Sequence, residues 1–204
     1  MPSRWSVLQS RRAIATREAA AIGIAAASAV AASLLLLPDA RGVAGSALGL
    51  LMIAIAAVDA RRFIIPDELS AVALGLGLAN VAWQTDDMTA ALGAAALRGA
   101  VLALAFWSLR ALYRRLRGWD GLGLGDVKLA GVAGVWLDWS TIPVAVEIAA
   151  LCALAVIAVR YLRDRRTVAS TTKMPFGLFF APAIWLAWLL GATLLAGSGL
   201  PFFP

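Results

Sequence analysis

Two aspartates stand out in this chain because the sequence around them is mostly apolar. Asp59 shares a short motif with Pro66 and Asp67, and Asp126 lies in a second motif, directly after Gly125 and two residues before Lys128. Hydrophobic residues make up 62% of the sequence and charged residues 15%, with a mean hydropathy of +0.84. Since a carboxylate beside a bilayer core is costly, two of them in structured motifs indicate a functional site.

The chemistry available to such a pair is proton sharing. Two carboxyl groups held close together cannot both ionise without strong repulsion, so one keeps its proton. The ionised group can activate water while the protonated group polarises a carbonyl, as in aspartic proteases. The chain has no histidine and one cysteine, Cys152, so a zinc site or a Cys/His nucleophile lacks its residues. The pair therefore predicts hydrolysis without a metal or a cofactor.

The elements that must position these residues are membrane helices. Helices satisfy their own backbone groups in hydrocarbon, and crossing roughly 30 Å takes about 20 residues. We predict an all-α, polytopic membrane helix bundle with about seven transmembrane segments, at residues 18–37, 43–64, 68–83, 89–112, 127–140, 142–162 and 175–197. The fifth is the weakest, because Asp138 shortens it, and a tilted or partly re-entrant helix is an alternative there.

The distribution of Lys and Arg orients these segments, because cytoplasmic loops of membrane proteins are enriched in both. With the N-terminus in the cytoplasm and the C-terminus outside, every Lys and Arg except Arg41 and Arg98 falls at or near the inner side. The net charge of +6 is then topogenic and lipid-facing, and it predicts membrane lipid rather than nucleic acid as a partner. Residues 1–17 form a basic cytoplasmic segment, and residues 18–204 form the transmembrane domain.

The first apolar segment is expected to be a retained helix rather than a cleaved signal peptide, since it is longer than a usual signal-peptide core. The topology then places three aspartates at the cytoplasmic boundary. Asp59 ends the second segment, Asp67 starts the third and Asp126 starts the fifth. Hydropathy and basic residues alone set this arrangement, so the shared face supports one common site.

Each aspartate also has a structural interpretation. Asp67 and Asp126 precede apolar runs, where Asp is a favoured helix N-cap worth about 1 kcal/mol. Asp59 could pair with Arg62, but a carboxylate at a helix C-terminus faces the unfavourable end of the helix dipole and needs another compensation. The glycines before Asp126 permit close approach of a peptide or unusual backbone conformations, or they form a flexible loop.

Other residues are expected to serve packing or anchoring. The tryptophans near predicted membrane boundaries are interpreted as interfacial anchors, namely Trp83, Trp107, Trp136 and Trp139. Small residues permit close helix approach, and this role is expected for Gly75, Gly77, Gly93, Gly131 and Gly134. Arg98 and Glu147 lie within apolar runs at similar depth, so a buried ion pair between them is a further hypothesis.

Three motifs in order give the chain a resemblance to the prepilin peptidases, the type IV leader peptidase family of GxGD membrane aspartic proteases. They are Asp59 with Pro66-Asp67, then Gly123-Leu124-Gly125-Asp126-Val127-Lys128, then Lys173-Met174-Pro175-Phe176-Gly177. The resemblance implies that Asp59 and Asp126 are the catalytic pair. It also implies cleavage of the short basic leader of prepilin-like proteins, such as Flp pilins or pseudopilins, at the cytoplasmic face of the inner membrane.

The resemblance assigns supporting or substrate-proximal positions to Pro66, Asp67, Gly123, Gly125, Lys128, Pro175, Phe176 and Gly177. On a regular helix Lys128 diverges from Asp126, so we expect it to tune charge or hold substrate or lipid rather than touch the pair. Long family members carry a cysteine-rich domain and methylate the new N-terminus. With Cys152 alone, this chain resembles the short form, and we predict peptidase activity without methyl transfer.

Three other functions share parts of this pattern. Presenilin-type proteases share the Gly-x-Gly-Asp motif but pair it with Tyr-Asp and Pro-Ala-Leu, whereas this chain has Val58-Asp59 and Pro175-Phe176-Gly177. A small proton- or cation-coupled transporter would use the same aspartates, although its acids belong nearer the membrane midplane. A non-catalytic assembly factor would be expected to lack one motif, and both are present.

Overall fold

The computed structural model describes residues 4–118, 121–164 and 175–198, and within these it contains seven α-helices and no β-strand. The helices are α1 (Arg4–Leu36), α2 (Ala40–Arg62), α3 (Asp67–Trp83), α4 (Met88–Arg117), α5 (Leu124–Trp136), α6 (Thr141–Asp164) and α7 (Gly177–Ser198). The predicted all-α polytopic bundle is confirmed. Lys173, the first residue of the third motif, lies outside the described residues.

Five of the seven helices are long and apolar enough to cross a membrane, namely α1, α2, α4, α6 and α7. The other two are shorter, with 17 residues in α3 and 13 in α5. At ~1.5 Å per residue, α5 extends only about 20 Å, less than a hydrocarbon core of roughly 30 Å. The weakness predicted for the fifth segment therefore appears as a short helix.

Several helix boundaries differ from the predicted segments, because hydropathy finds apolar stretches rather than helix ends. Polar turns extend α1 back to Arg4 and α4 forward to Arg117. The fifth segment was predicted at 127–140, but α5 begins at Leu124 and ends where Leu137 becomes extended. Asp126 consequently lies inside the first turn of α5 rather than before it.

The short α5 lies in the middle of the bundle, where it contacts α3, α4 and α7, while α2 contacts α1, α3 and α7. Trp136 at the end of α5 is buried, and its Nε1–H donates to the Ala73 carbonyl at 2.8 Å. Its ring packs edge-on against that of Trp188, with 6.1 Å between the ring centroids. The prediction that Trp136 is an interfacial anchor is wrong, because its ring fills the core. Trp83, Trp107 and Trp139 are exposed on the bundle surface.

Helices α4 and α5 pack closely through glycines. A Cβ atom on Gly134 would lie 2.6 Å from the Arg98 carbonyl oxygen, and one on Gly99 would lie 3.0 Å from that of Gly131. Gly77 has a similar role, because its Cβ would meet the Trp136 ring at 2.7 Å. The same interpretation is wrong for Gly75 and Gly93, which are exposed and have nothing within 4 Å of an added Cβ.

Arg98 is buried, and its partners are backbone carbonyls at the end of α5. Its Nε donates to the carbonyls of Gly134 at 3.2 Å and Leu137 at 3.0 Å. The last carbonyls of a helix lack intrahelical donors and attract a cation. Glu147, by contrast, is exposed on α6. The hypothesis of an Arg98–Glu147 pair is therefore wrong, and Arg98 holds α4 against the C-terminal end of α5.

Candidate active site

Asp59 lies near the C-terminal end of α2 and is only 5% exposed. The helix stops at Arg62 because Phe63 adopts the left-handed conformation, with φ 55° and ψ 34°. The Phe63 N–H still donates to the Asp59 carbonyl oxygen at 2.9 Å. This turn leads the chain through Ile65 and into α3, so Asp59 lies beside the connection between the two helices.

The carboxylate of Asp59 accepts a hydrogen bond from the start of α7. Leu178 N–H donates to Asp59 Oδ2 at 2.9 Å. The first N–H groups of a helix lack intrahelical partners and favour a negative charge. Asp59 therefore lies near the unfavourable C-terminal end of its own helix but faces the favourable N-terminal end of another. The start of α7 thus offsets the cost of the Asp59 charge, for which the sequence alone gave no partner. Arg62 is not its hydrogen-bond partner.

Gly177 allows this contact. A Cβ atom at this position would lie 2.8 Å from Asp59 Oδ2 and 2.8 Å from Ile65 Cδ1. Pro175 and Phe176 lead into the same turn, and the Phe176 carbonyl accepts the Phe180 N–H at 2.9 Å. The third motif thus forms the helix start that receives Asp59.

Asp126 is the third residue of α5 and is 8% exposed. Its Oδ2 accepts the Gly123 N–H at 3.1 Å, so the carboxylate folds back over the start of its own helix. Asp126 was considered as an N-cap residue, but Gly123 holds that position. Both aspartates consequently have their carboxylates at a helix N-terminus, Asp126 at that of α5 and Asp59 at that of α7.

Ile65 lies between the second and third motifs and packs against Gly125 and Gly177. An added Cβ on Gly125 would lie 2.9 Å from Ile65 Cβ, and the one on Gly177 would meet Ile65 Cδ1. The positive φ that glycine permits is not used by Gly123 or Gly125, since Gly118 is the glycine with a positive φ in the described part of the chain. Gly125 and Gly177 instead permit the close approach of Ile65 of the same chain. No pattern in the sequence singled out Ile65 or Leu178, because both contacts are tertiary.

One cavity joins the two aspartates. Its volume is about 250 Å³, and both Asp59 and Asp126 line it, together with Phe63, Ile64, Ile65, Asp67, Gly123, Leu124, Gly125 and Lys128. Asp59 comes to this cavity from α2 and Asp126 from α5. Residues 67 positions apart in sequence thus present their acids to a shared space of a size that admits water and a peptide segment.

Asp67 and Lys128 form an ion pair at the edge of this cavity, bridging the first turns of α3 and α5. Pro66 occupies the N-cap position of α3, so Asp67 is the first helical residue and its side chain does not cap the helix. The prediction of Asp67 as a cap is therefore wrong in detail. The partner of the Lys128 ammonium group is Asp67.

The fold is that of a polytopic helical membrane protein. In its candidate active site, two acids at helix ends line one cavity. Residues 46–159 match the type IV leader peptidase family. This chain belongs to that family.

Relatives support the assignment. A prepilin leader peptidase/N-methyltransferase of Burkholderia pseudomallei is 36% identical over 158 residues, which cover 76% of this chain and 50% of the relative. The protein of the same name from Pseudomonas aeruginosa is 38% identical over 97 residues, covering 47% and 33% respectively. The chain thus spans about half the length of the first of these relatives. No solved structure matches.

Proposed function

We propose that this chain is a membrane-embedded aspartic endopeptidase that removes the short basic leader from prepilin-like precursors at the cytoplasmic face of the inner membrane. Membership of the type IV leader peptidase family supports the reaction class. Relatives named prepilin leader peptidase support the substrate class.

The observation that carries the proposal is the shared cavity of Asp59 and Asp126. The two acids come from separate motifs, are both buried and line the same space. Such a pair holds one proton between two carboxyl groups over a range of pH, because ionisation of one opposes ionisation of the other.

In the proposed reaction one carboxylate takes a proton from water while the other, protonated, donates a hydrogen bond to the scissile carbonyl. The N–H groups of Leu178 and Gly123 each hold one carboxylate oxygen, which leaves the second oxygen of each acid available to water or peptide. Fixed donors of this kind keep both acids oriented before substrate arrives. Asp67, Lys128 and the surrounding backbone form the edge of the cavity over which the peptide would lie.

The test is co-expression of the full chain with a candidate prepilin, with leader removal read on a gel. Asp59→Asn and Asp126→Asn keep size and most hydrogen bonds but remove the acid, and each should reduce cleavage at least 1,000-fold, as loss of a catalytic group does. Glu68→Gln is the matched control, since Glu68 is an exposed acid next to Asp67 that does not line the cavity.

Full processing by either Asn variant would overturn the two-aspartate mechanism. A transporter using the same acids is the alternative, and it makes a different prediction for this experiment. In that case wild-type chain would leave the prepilin intact, and proton or cation flux into vesicles would depend on Asp59 and Asp126 instead.

A further inference from the structure

A second cavity lies on the other side of the Asp59 helix. Its volume is about 420 Å³, and three helices form its walls, with Ala21 and Ala25 on α1, Ala57 and Ala60 on α2, and Leu178 and Pro182 on α7. We refer to it as the α1–α2–α7 groove. All three walls belong to helices that are long and apolar enough to span a membrane.

The groove has the shape and surface of a seat for a helix. Its wall residues repeat at one-turn spacing on each helix, as in Ala21 and Ala25 or Leu178 and Pro182. The α2 wall runs from Ile53 to Arg61, which at ~1.5 Å per residue is about 12 Å, or two turns. Alanine walls let another backbone approach closely, which is how helices associate in membranes.

One end of the groove is polar and the rest is apolar. Glu18 and Arg61 form an exposed ion pair there, with 3.3 Å between Oε2 and the guanidinium nitrogen. Below this pair the walls are Ala, Ile, Leu and Pro side chains. An occupant therefore has a long apolar part inside the membrane and emerges beside charged groups at the Asp59 end of the bundle.

The groove is continuous with the candidate active site through Leu178. Its side chain forms part of the groove wall, and its N–H donates to Asp59 Oδ2 at 2.9 Å. Ala60 and Arg61, also in the wall, directly follow Asp59 along α2. A chain leaving the polar end of the groove is therefore already next to one of the two acids.

Pro182 affects the backbone of α7 at the groove wall. It lies inside α7 and has no N–H, so it cannot donate to the carbonyl of Leu178 one turn earlier. Both residues line the groove. Leu178 lies at the polar end of the groove beside Asp59, so water or the polar end of an occupant can donate to its carbonyl.

We propose that the α1–α2–α7 groove binds the apolar transmembrane helix of the substrate, so that the scissile segment reaches Asp59 and Asp126. The inference rests on the proposed function, because it names where the precursor of that reaction sits. A lipid acyl chain would also fit the apolar walls, but it has no peptide segment that continues past Leu178 to Asp59. A second copy of this chain is the other possible occupant, and the experiments below separate the three.

The first experiment compares two substrates, a full precursor that contains the apolar helix and a soluble peptide that spans the cleavage site without it. Ala25→Phe fills the groove, and Ala27→Phe is the matched control, since Ala27 is an exposed α1 residue outside the groove. Ala25→Phe should lower kcat/KM for the precursor relative to the peptide about tenfold, mainly through KM. Ala27→Phe should leave this ratio unchanged.

An unchanged ratio in Ala25→Phe would overturn the inference while leaving the peptidase proposal intact. An equal loss for both substrates would also overturn it, because the substitution would then act on the catalytic cavity. Failure of the wild-type chain to cleave either substrate would instead contradict the proposed function, and the second experiment then decides whether the groove binds the precursor.

The second experiment measures occupancy directly. A photoreactive residue at Ile22, which lines the groove, is crosslinked in membranes containing the Asp126→Asn chain and the precursor, with a probe at Ala27 as control. Crosslinks to the apolar helix of the precursor from residue 22 and not from residue 27 are expected. Crosslinks from residue 22 only to lipid, or only to a second copy of the chain, would overturn the inference.

Discussion

Asp59 and Asp126 have similar surroundings that are built in different ways. Both are buried carboxylates that accept an N–H bond at a helix N-terminus. The donor to Asp126 is Gly123, three residues earlier, whereas the donor to Asp59 is Leu178, 119 residues later. The orientation of Asp126 is therefore a local property of the α5 start, while that of Asp59 depends on how α7 docks against α2. Changes at the start of α7 should act on Asp59 first.

Among the substitutions that leave both acids in place, the largest effect is expected from Gly177→Ala, which breaks the tertiary side of this comparison. The new Cβ would lie 2.8 Å from both Asp59 Oδ2 and Ile65 Cδ1, so the carboxylate or the helix start must move. A displacement near 1 Å at a reacting group can cost on the order of 100-fold in rate, and we expect a loss of that size in kcat. Leader cleavage by purified enzyme measures it.

The control for Gly177→Ala is Gly75→Ala, because Gly75 is helical and has nothing within 4 Å of an added Cβ. It should keep full activity and gain slightly in stability, since Ala is the better helix former. If Gly177→Ala cleaves as fast as wild type, then Asp59 does not depend on the close approach of α7.

The next largest effect is expected at the opposite end of α5, where Arg98 makes another tertiary contact. Arg98→Met removes the donors to the carbonyls of Gly134 and Leu137, and leaving buried acceptors unpaired costs about 1–3 kcal/mol. We expect the free energy of unfolding in mixed micelles to fall by about 2–3 kcal/mol. Glu147→Gln should have almost no effect, because Glu147 is exposed.

The double variant checks the revised assignment of Arg98. Since Arg98 bonds to α5 and not to Glu147, the two substitutions should be additive to within about 0.5 kcal/mol. A coupling energy well above this would restore the ion pair that the sequence suggested. The same measurement thus distinguishes the Arg98–Glu147 pair, inferred from similar depth, from the contact of Arg98 with α5 that the structure shows.

The contrast between local and tertiary contacts also explains what could be predicted from the sequence. The number of helices and the shared end of Asp59, Asp67 and Asp126 follow from apolar runs, whose physical cause is the length of chain needed to cross hydrocarbon. The Gly123–Asp126 motif is local, so its position at the start of α5 was predictable to within a turn. The partner of Asp59 was not, because Leu178 lies on a helix whose docking has no local signal.

Other errors had the same origin. Arg98 and Glu147 share a depth in the sequence profile, but rotation about the helix axes decides which side chains meet, and Arg98 faces α5. Trp136 has the composition of an interfacial anchor, yet the early end of α5 turns its ring into the core. Hydropathy predicts how deep a residue lies in the membrane. It does not predict which side of a nearly uniform apolar helix faces its neighbours.

A smaller effect is expected from alanine at the two glycines before Asp126, which sharpens the comparison within one motif. At Gly125 the new Cβ meets Ile65 Cβ at 2.9 Å, a tertiary contact that cannot rotate away. At Gly123 it meets Asp126 Oδ2 at 3.1 Å, the end of a side chain that can adjust. Gly125→Ala should destabilise by about 1–3 kcal/mol and Gly123→Ala by less than about 1 kcal/mol.

Unfolding free energies of the two glycine variants test this order, with cleavage rates as a second reading. Because the Asp126 carboxylate is the group that must adjust in Gly123→Ala, that variant should lose more activity per unit of lost stability than Gly125→Ala. The reverse ranking in both measurements would mean that Ile65 is not the element that joins the motifs.

The smallest effect is expected for the Asp67–Lys128 pair, which lies at the cavity edge but is exposed. The side chains are 73% and 47% exposed, so solvent screens the attraction and a coupling energy below about 1 kcal/mol is expected. A double-mutant cycle with Asp67→Asn and Lys128→Gln, measured at 0.1 M and about 1 M salt, should show a coupling that disappears at high salt. A coupling above about 2 kcal/mol that persists at high salt would contradict this expectation. The exposed pair would then hold α3 against α5 as firmly as the buried contacts of Asp59 hold α2 against α7.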